Sequence, residues 1–153
     1  MASVLLVVGH SETRPGAANM GGPDPEDDLY EFHFNEPIAE RTLALLQAKG
    51  AEVSQDRYLP SGGNVARWNG ASDLLVEFHC NAFNTEATGT EVLYAEGSER
   101  GAACARIMQT HLTEALKLAN RKIKPISSER LPNGKWKERG AYLLWGVSQV
   151  ALI

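Results

Sequence analysis

Residues 73 to 84 read D-L-L-V-E-F-H-C-N-A-F-N, and the first half of this stretch is a short strand. Leu74, Leu75, Val76 and Phe78 form an apolar run of the length of a buried strand, and it breaks off at His79, Cys80 and Asn81. A polar cluster at that point marks the strand's exit from the core. Open α/β sheets bind ligands in the crevice beyond the carboxyl ends of their strands, so His79 is placed for chemistry. A lone histidine there is more often a plain strand-end residue, and a second signal is needed.

The first strand supplies it. Ser3 to Val8 is a β-branched and leucine-rich run that stops at Gly9-His10, so a second histidine also follows a strand. Counted by twos, Val4, Leu6, Val8 and His10 share one parity, as do Leu75, Glu77 and His79. Between them, Glu31-Phe32-His33-Phe34-Asn35 opens a helix that Gly50 closes. Phe34, Ile38, Leu45 and Leu46 are read as its apolar face, Asn35 as a cap, and Pro37 as a first-turn residue. Glu31 then lies at or just before the helix start.

Two histidines at strand ends and a carboxylate at a helix start make a three-ligand metal site. Zinc takes nitrogen and carboxylate ligands, and a His2Glu set leaves one position open, as catalytic sites do. Glu77, on the face of His79, is a weak catalytic candidate and more naturally orients a ligand, and Glu91 carries the same ambiguity. Cys80 points to the opposite face from its neighbour His79 and is not read as a nucleophile. Trp68, Trp136 and Trp145 could stack on sugar rings, though packing is the simpler role.

The remaining chain alternates strands and helices. Ala51 to Ser54 reads as a strand, followed by the turn L-P-S-G-G, and 64 to 69 as one or two helical turns. Thr90 to Ala95 is a strand, and Ser98 to Ala119 is the longest helix, with Ala105, Met108, Leu112, Ala115 and Ala119 on its apolar face and His111 on its surface. Residues 120 to 140 read as a polar excursion with a hairpin at Asn133-Gly134. Ala141 to Trp145 is a strand or a helical turn, and Val147 to Ile153 a last strand. The expected fold is a single doubly wound α/β domain, its central sheet mostly parallel or mixed, with helices on both faces.

Bulk properties narrow the function. The 153 residues suffice for one domain, and 43% apolar with 22% charged residues is ordinary for a globular protein. A formal charge of -4 and a pI near 5.6 argue against nucleic acid as a partner. Ser11 to Asp28 is Gly-, Pro- and acid-rich loop with neither a G-x-G-x-x-G nor a Walker pattern, so nucleotide binding is not expected. No apolar run reaches membrane-spanning length and no signal peptide is visible, so synthesis in the cytoplasm is expected. Cys80 and Cys104 fit no metal-binding pair and are read as reduced thiols.

Several motifs taken in order carry a resemblance: G-H at 9 and 10, R-P-G-A at 14 to 17, E-F-H-F-N at 31 to 35, F-H-C-N-A at 78 to 82 and G-T-E-V-L-Y at 89 to 94. Together they resemble the zinc-dependent N-acetylmuramoyl-L-alanine amidases of the amidase-3 type, in particular phage endolysin catalytic domains. The likeness spans nearly all of residues 1–153. It implies one Zn2+ held by His10, Glu31 and His79, with His33 and Glu36 as alternatives should the helix begin elsewhere. Arg14 and Asn81, within the same motifs, are candidates for substrate contact. The implied reaction is hydrolysis of the amide between N-acetylmuramic acid and L-alanine in peptidoglycan. In a phage endolysin it would take place on the cell wall after release. The family's catalytic glutamate follows a segment like V-A-L-I, so the expected base falls immediately after Ile153 and the domain is expected to be truncated there. A wall-binding module that holds zinc without hydrolysis is the alternative reading, beside a zinc peptidase acting on other peptides.

Overall fold

The computed structural model describes residues 2–19, 29–58, 65–80, 88–138 and 141–152. The chain forms two compact units, one from residues 1–64 and 71–82 and the other from 65–70 and 83–153.

In the first unit, β1 (Ser3–Val8) leads through the two-residue strands β2 (Ala18–Asn19) and β3 (Leu29–Tyr30) to α1 (Glu31–Ala48), then to β4 (Glu52–Arg57) and β5 (Leu74–Phe78). β1 is the middle strand and runs parallel to both β4 and β5. Parallel neighbours need a long crossover, and α1 supplies the one from β1 to β4. Leu5, Leu6, Val7 and Val8 are buried in succession, the mark of a strand covered on both faces rather than one. The Asp73 carboxylate accepts from the Ser3 backbone N–H at 2.7 Å, which pins the start of β5 beside the start of β1. At the other end the register pairs Val8 with Phe78. Gly9 donates its N–H to the Phe78 carbonyl at 3.0 Å, so the residues that follow the two strands emerge side by side.

Helix α1 departs from expectation. Its first residue is Glu31, its N-cap is Tyr30 without a side-chain hydrogen bond, and Asn35 lies inside it. Pro37 is interior rather than in the first turn. The buried face is Glu31, Phe32, Asn35 and Ala39, whereas Phe34, Ile38 and Leu45 are exposed. Polar partners explain the rotation: Glu31 meets backbone donors and histidines, and this sets the azimuth of the helix against its apolar periodicity. Phe32 packs with Val8, Ala39 and Phe78. Phe32→Ala is expected to cost about 3–5 kcal/mol of stability through the cavity it leaves, read as a lowered midpoint in denaturant unfolding.

In the second unit, α2 (Val65–Trp68) is followed by β6 (Thr90–Ala95), α3 (Glu99–Leu116), β7 (Asn120–Ile126), α4 (Ala141–Leu144) and β8 (Val150–Leu152). β6 pairs in parallel with β7 and antiparallel with β8. Ser98 caps α3 by accepting from the Gly101 N–H at 3.0 Å. Gln109, buried on α3, donates to the Thr90 carbonyl and the Asn120 side chain, each at 2.8 Å, tying helix to strand. His111 is on the surface, as expected. Trp68 is buried, and its carbonyl accepts from Gln149.

The first half of the expected polar excursion is instead β7. Its N-R-K-I-K-P-I sequence carries three charges and no apolar run, so the strand is not legible as one. The hairpin at Asn133-Gly134 is present: Arg130 bridges Trp136, Gly134 takes φ 79°, and the Arg130 guanidinium lies 3.7 Å over the indole. The L-P-S-G-G turn falls outside the described residues. The mixed α/β class with parallel central strands agrees with the sequence.

Candidate metal centre

The centre stands at the carboxyl ends of β1 and β5, where the first unit's register delivers His10 and His79 next to the first turn of α1. The Glu31 carboxylate lies between them, with Oε2 3.1 Å from His10 Nε2 and Oε1 2.9 Å from His79 Nδ1. The imidazoles meet edge to face, centroids 4.9 Å apart. One donor atom from each of the three residues lies within 4.8 Å of the others. Glu31 is almost wholly buried, while the histidine side chains keep 25% and 19% of their surface exposed. The centre is therefore anchored from inside and reachable from outside.

A buried carboxylate must be supplied with donors. Glu31 accepts from the Cys80 N–H at 2.6 Å and from the Ala17 N–H at 3.2 Å, besides facing the histidines. Burial alone would raise its pKa, but the hydrogen bonds from His79, Cys80 and Ala17 prevail and hold it at about 2. Burial likewise would lower His79, yet its contacts with Glu31 and Glu77 lift it to about 9. Cys80 is pushed up by burial and the Glu31 charge, which keeps it a thiol.

Two glycines make the approach possible. A Cβ on Gly9 would stand 2.6 Å from His79 Cε1 and 2.7 Å from Nε2, closer than atoms tolerate. Gly16, at φ 84°, has His10 Cδ2 at 2.6 Å and Glu31 Oε2 at 2.7 Å from where a Cβ would be. His10 itself takes φ 69°, a left-handed conformation that costs a side-chain-bearing residue roughly 1–2 kcal/mol. It breaks the strand alternation, so His10 reaches the site by a turn of the backbone and not by the parity of β1. The motifs G-H and R-P-G-A contained these glycines, but no local signal announced that their empty Cβ positions face the histidines and Glu31.

The alternatives among the sequence candidates lie elsewhere. His33 is exposed and meets Tyr30 and Phe32 edge to face. Glu36 pairs with Arg57 at 2.9 Å, and Glu91 pairs with Arg121 and Lys124. Arg14 is exposed, its backbone paired with Ser11, and Asn81 lies outside the described residues. Glu77 is fully buried, with Oε1 3.1 Å from His79 Nε2. Trp145 donates its indole N–H to the Ile126 carbonyl.

The donor set fits zinc. Bonds of 2.0–2.1 Å in a tetrahedron separate donors by about 3.3 Å; the 2.9 and 3.1 Å from Glu31 to the two imidazoles stand within tenths of an ångström of that, and all three donors lie inside 4.8 Å. A metal must displace the proton that His79 holds below about pH 9. Uptake at pH 7 is thus expected to release about one proton per ion from this residue, and apparent affinity to rise about tenfold per pH unit up to about 9. Calorimetry in buffers of different ionisation enthalpy measures that proton. Without metal the signs oppose. The His79 contribution to stability is full below 6.5 and fades as pH rises through about 9. That of Glu31 is full above 4.5 and fades as pH falls through about 2.

A parallel-stranded α/β frame that brings two imidazoles and a carboxylate together at its strand ends is an arrangement suited to hydrolysis. The family model described as N-acetylmuramoyl-L-alanine amidase, of the amidase-3 group, matches residues 4–144. The chain belongs to that family of peptidoglycan-acting amidases. Among solved structures it is similar to the catalytic domain of the CD27L endolysin targeting Clostridia Difficile, with a TM-score of 0.72 and 23% identity over 99% of this chain and 79% of that one. It is also similar to the catalytic domain of CwlV from Bacillus (Paenibacillus) polymyxa var. colistinus, with a TM-score of 0.73 and 19% identity, covering 99% of this chain and 78% of that one. AmiC2 of Nostoc punctiforme gives a TM-score of 0.69 and 21% identity over 97% and 76% of the two chains. At these identities the likeness establishes the fold. No curated protein sequence matches significantly. Among the described residues, no helix is long and apolar enough to cross a membrane.

Proposed function

We propose that residues 1–153 form the catalytic domain of a zinc-dependent amidase that cleaves the bond between N-acetylmuramic acid and L-alanine in peptidoglycan. The carrying observation is the convergence of His10, Glu31 and His79 within 4.8 Å in a chain of this family. His10 and His79 would donate imidazole nitrogens and Glu31 a carboxylate oxygen to one Zn2+. When bound, zinc supplies a Lewis acid for the scissile carbonyl and lowers the pKa of water to about 7.

The chain's own residues prepare that chemistry. The Ala17 and Cys80 amides hold Glu31 in place and ionised, so its charge is available without a side-chain rearrangement. The exposed edges of both imidazoles leave the centre open to solvent and substrate. Glu77, with Oε1 set against His79 Nε2, is a poor candidate for the general base. The endolysin neighbour supports action on a cell wall.

The test is incubation with purified sacculi. New L-alanine amino termini, their loss on chelation and their return with zinc are the expected results. Binding to sacculi without new amines would favour a wall-binding module, and equal cleavage of simple peptides would favour a peptidase.

A further inference from the structure

We infer that Glu77 is a positioning residue that fixes the His79 imidazole with its proton on Nε2 and its Nδ1 lone pair toward the metal. The inference rests on the zinc reading above. Glu77 and His79 are two residues apart at the end of β5, so their side chains leave the same face of the strand. Glu77 is completely buried, and its Oε1 lies 3.1 Å from His79 Nε2. Set against a carboxylate oxygen, Nε2 is the ring nitrogen placed to donate its proton. That assignment leaves Nδ1 as the nitrogen 2.9 Å from Glu31 Oε1. A lone pair and a carboxylate oxygen cannot rest at that distance unless a proton or a cation sits between them.

A second observation is independent of Glu77. The Nε2 and Cε1 edge of the ring packs on Gly9, where a Cβ would stand 2.7 and 2.6 Å away. The Nε2 edge thus lies close beside Gly9 as well as Glu77, and Nδ1 is the nitrogen that faces Glu31. A carboxylate behind a metal-bound imidazole sets the tautomer and raises ligand basicity, an effect worth roughly 10–100-fold in metal affinity. The spacing E-x-H in F-H-C-N-A's approach, residues 77 to 79, is its sequence signature.

The decisive measurement is the side-chain 15N NMR spectrum of His79 in the zinc-loaded wild type, joined to zinc affinities by chelator competition. The expected spectrum shows Nε2 protonated and Nδ1 metal-bound. Glu77→Gln keeps an acceptor and should hold zinc within a few-fold of wild type, while Glu77→Leu should bind it roughly 10–100-fold more weakly. A wild-type spectrum with Nε2 on the metal would overturn the inference whatever the variants do. So would a folded Glu77→Leu protein with wild-type zinc affinity, the result expected of a purely structural residue. In either case wild type still takes up zinc, and only the role of Glu77 falls. A wild type that takes up no zinc defeats the metal reading itself, and this inference with it.

Discussion

Glu31→Gln is expected to abolish zinc retention and amide hydrolysis while leaving a folded protein. The substitution changes one atom and one charge, but every contact of this side chain is built for an anion. Oε1 faces the Cys80 N–H and His79 Nδ1, and Oε2 faces the Ala17 N–H and His10 Nε2. A glutamine amide must turn its NH2 toward one of these pairs and so sets donor against donor. Leaving a buried donor unsatisfied costs about 1–3 kcal/mol, a loss a domain of this size survives. The metal fares worse. Partners that merely support a ligand are worth about 10–100-fold in affinity, so loss of the direct carboxylate should exceed about 100-fold. Zinc content after dialysis and amine release from sacculi are the readouts, with circular dichroism confirming the fold. Retention of zinc with wild-type affinity would remove Glu31 from the ligand set.

The second large effect concerns a residue with no side chain. Gly16→Ala should lower zinc affinity by about an order of magnitude or more, since displacements below 1 Å at a site of this kind are costly. The new Cβ would fall 2.6 Å from His10 Cδ2, 2.7 Å from Glu31 Oε2 and 2.8 Å from His10 Nε2. Those are side-chain ends, so they yield by moving, and their movement takes two ligands off register. Gly50→Ala is the matched control. Gly50 has φ 79°, close to the 84° of Gly16, and nothing lies within 4 Å of its would-be Cβ. Both variants should lose roughly 1–2 kcal/mol to the left-handed backbone. Only Gly16→Ala should lose metal, which separates backbone strain from contact with the ligands. Equal zinc affinity in the two variants would show that Gly16 is needed for its φ alone.

The comparison of α1 with β5 shows where sequence reading succeeds. β5 was legible because four apolar residues and an abrupt polar end are a local pattern, and its outcome did not depend on any distant partner. The azimuth of α1 was not. Phe34, Ile38 and Leu45 form a credible apolar stripe, yet they are exposed, because Glu31 and Asn35 are drawn inward on the other side. Strand β7 is illegible for a related reason: three of its seven residues are Arg or Lys, and its pairing with β6 is a tertiary fact.

The sequence by itself determined the alternation of strands and helices, the two histidines that follow strands, the carboxylate that opens a helix and the family these motifs resemble. Each of these depends on residue type and short-range spacing, which a linear reading contains. Tertiary structure alone decided that Val8 pairs with Phe78, so that the two histidines emerge together, and that Glu31 lies between them. It also decided that Gly9 and Gly16 stand where any Cβ would strike a ligand, and that Glu77 faces the back of His79. Such facts arise from strand register and close packing between residues up to 70 positions apart, as from Val8 to Phe78, and no local pattern encodes those distances.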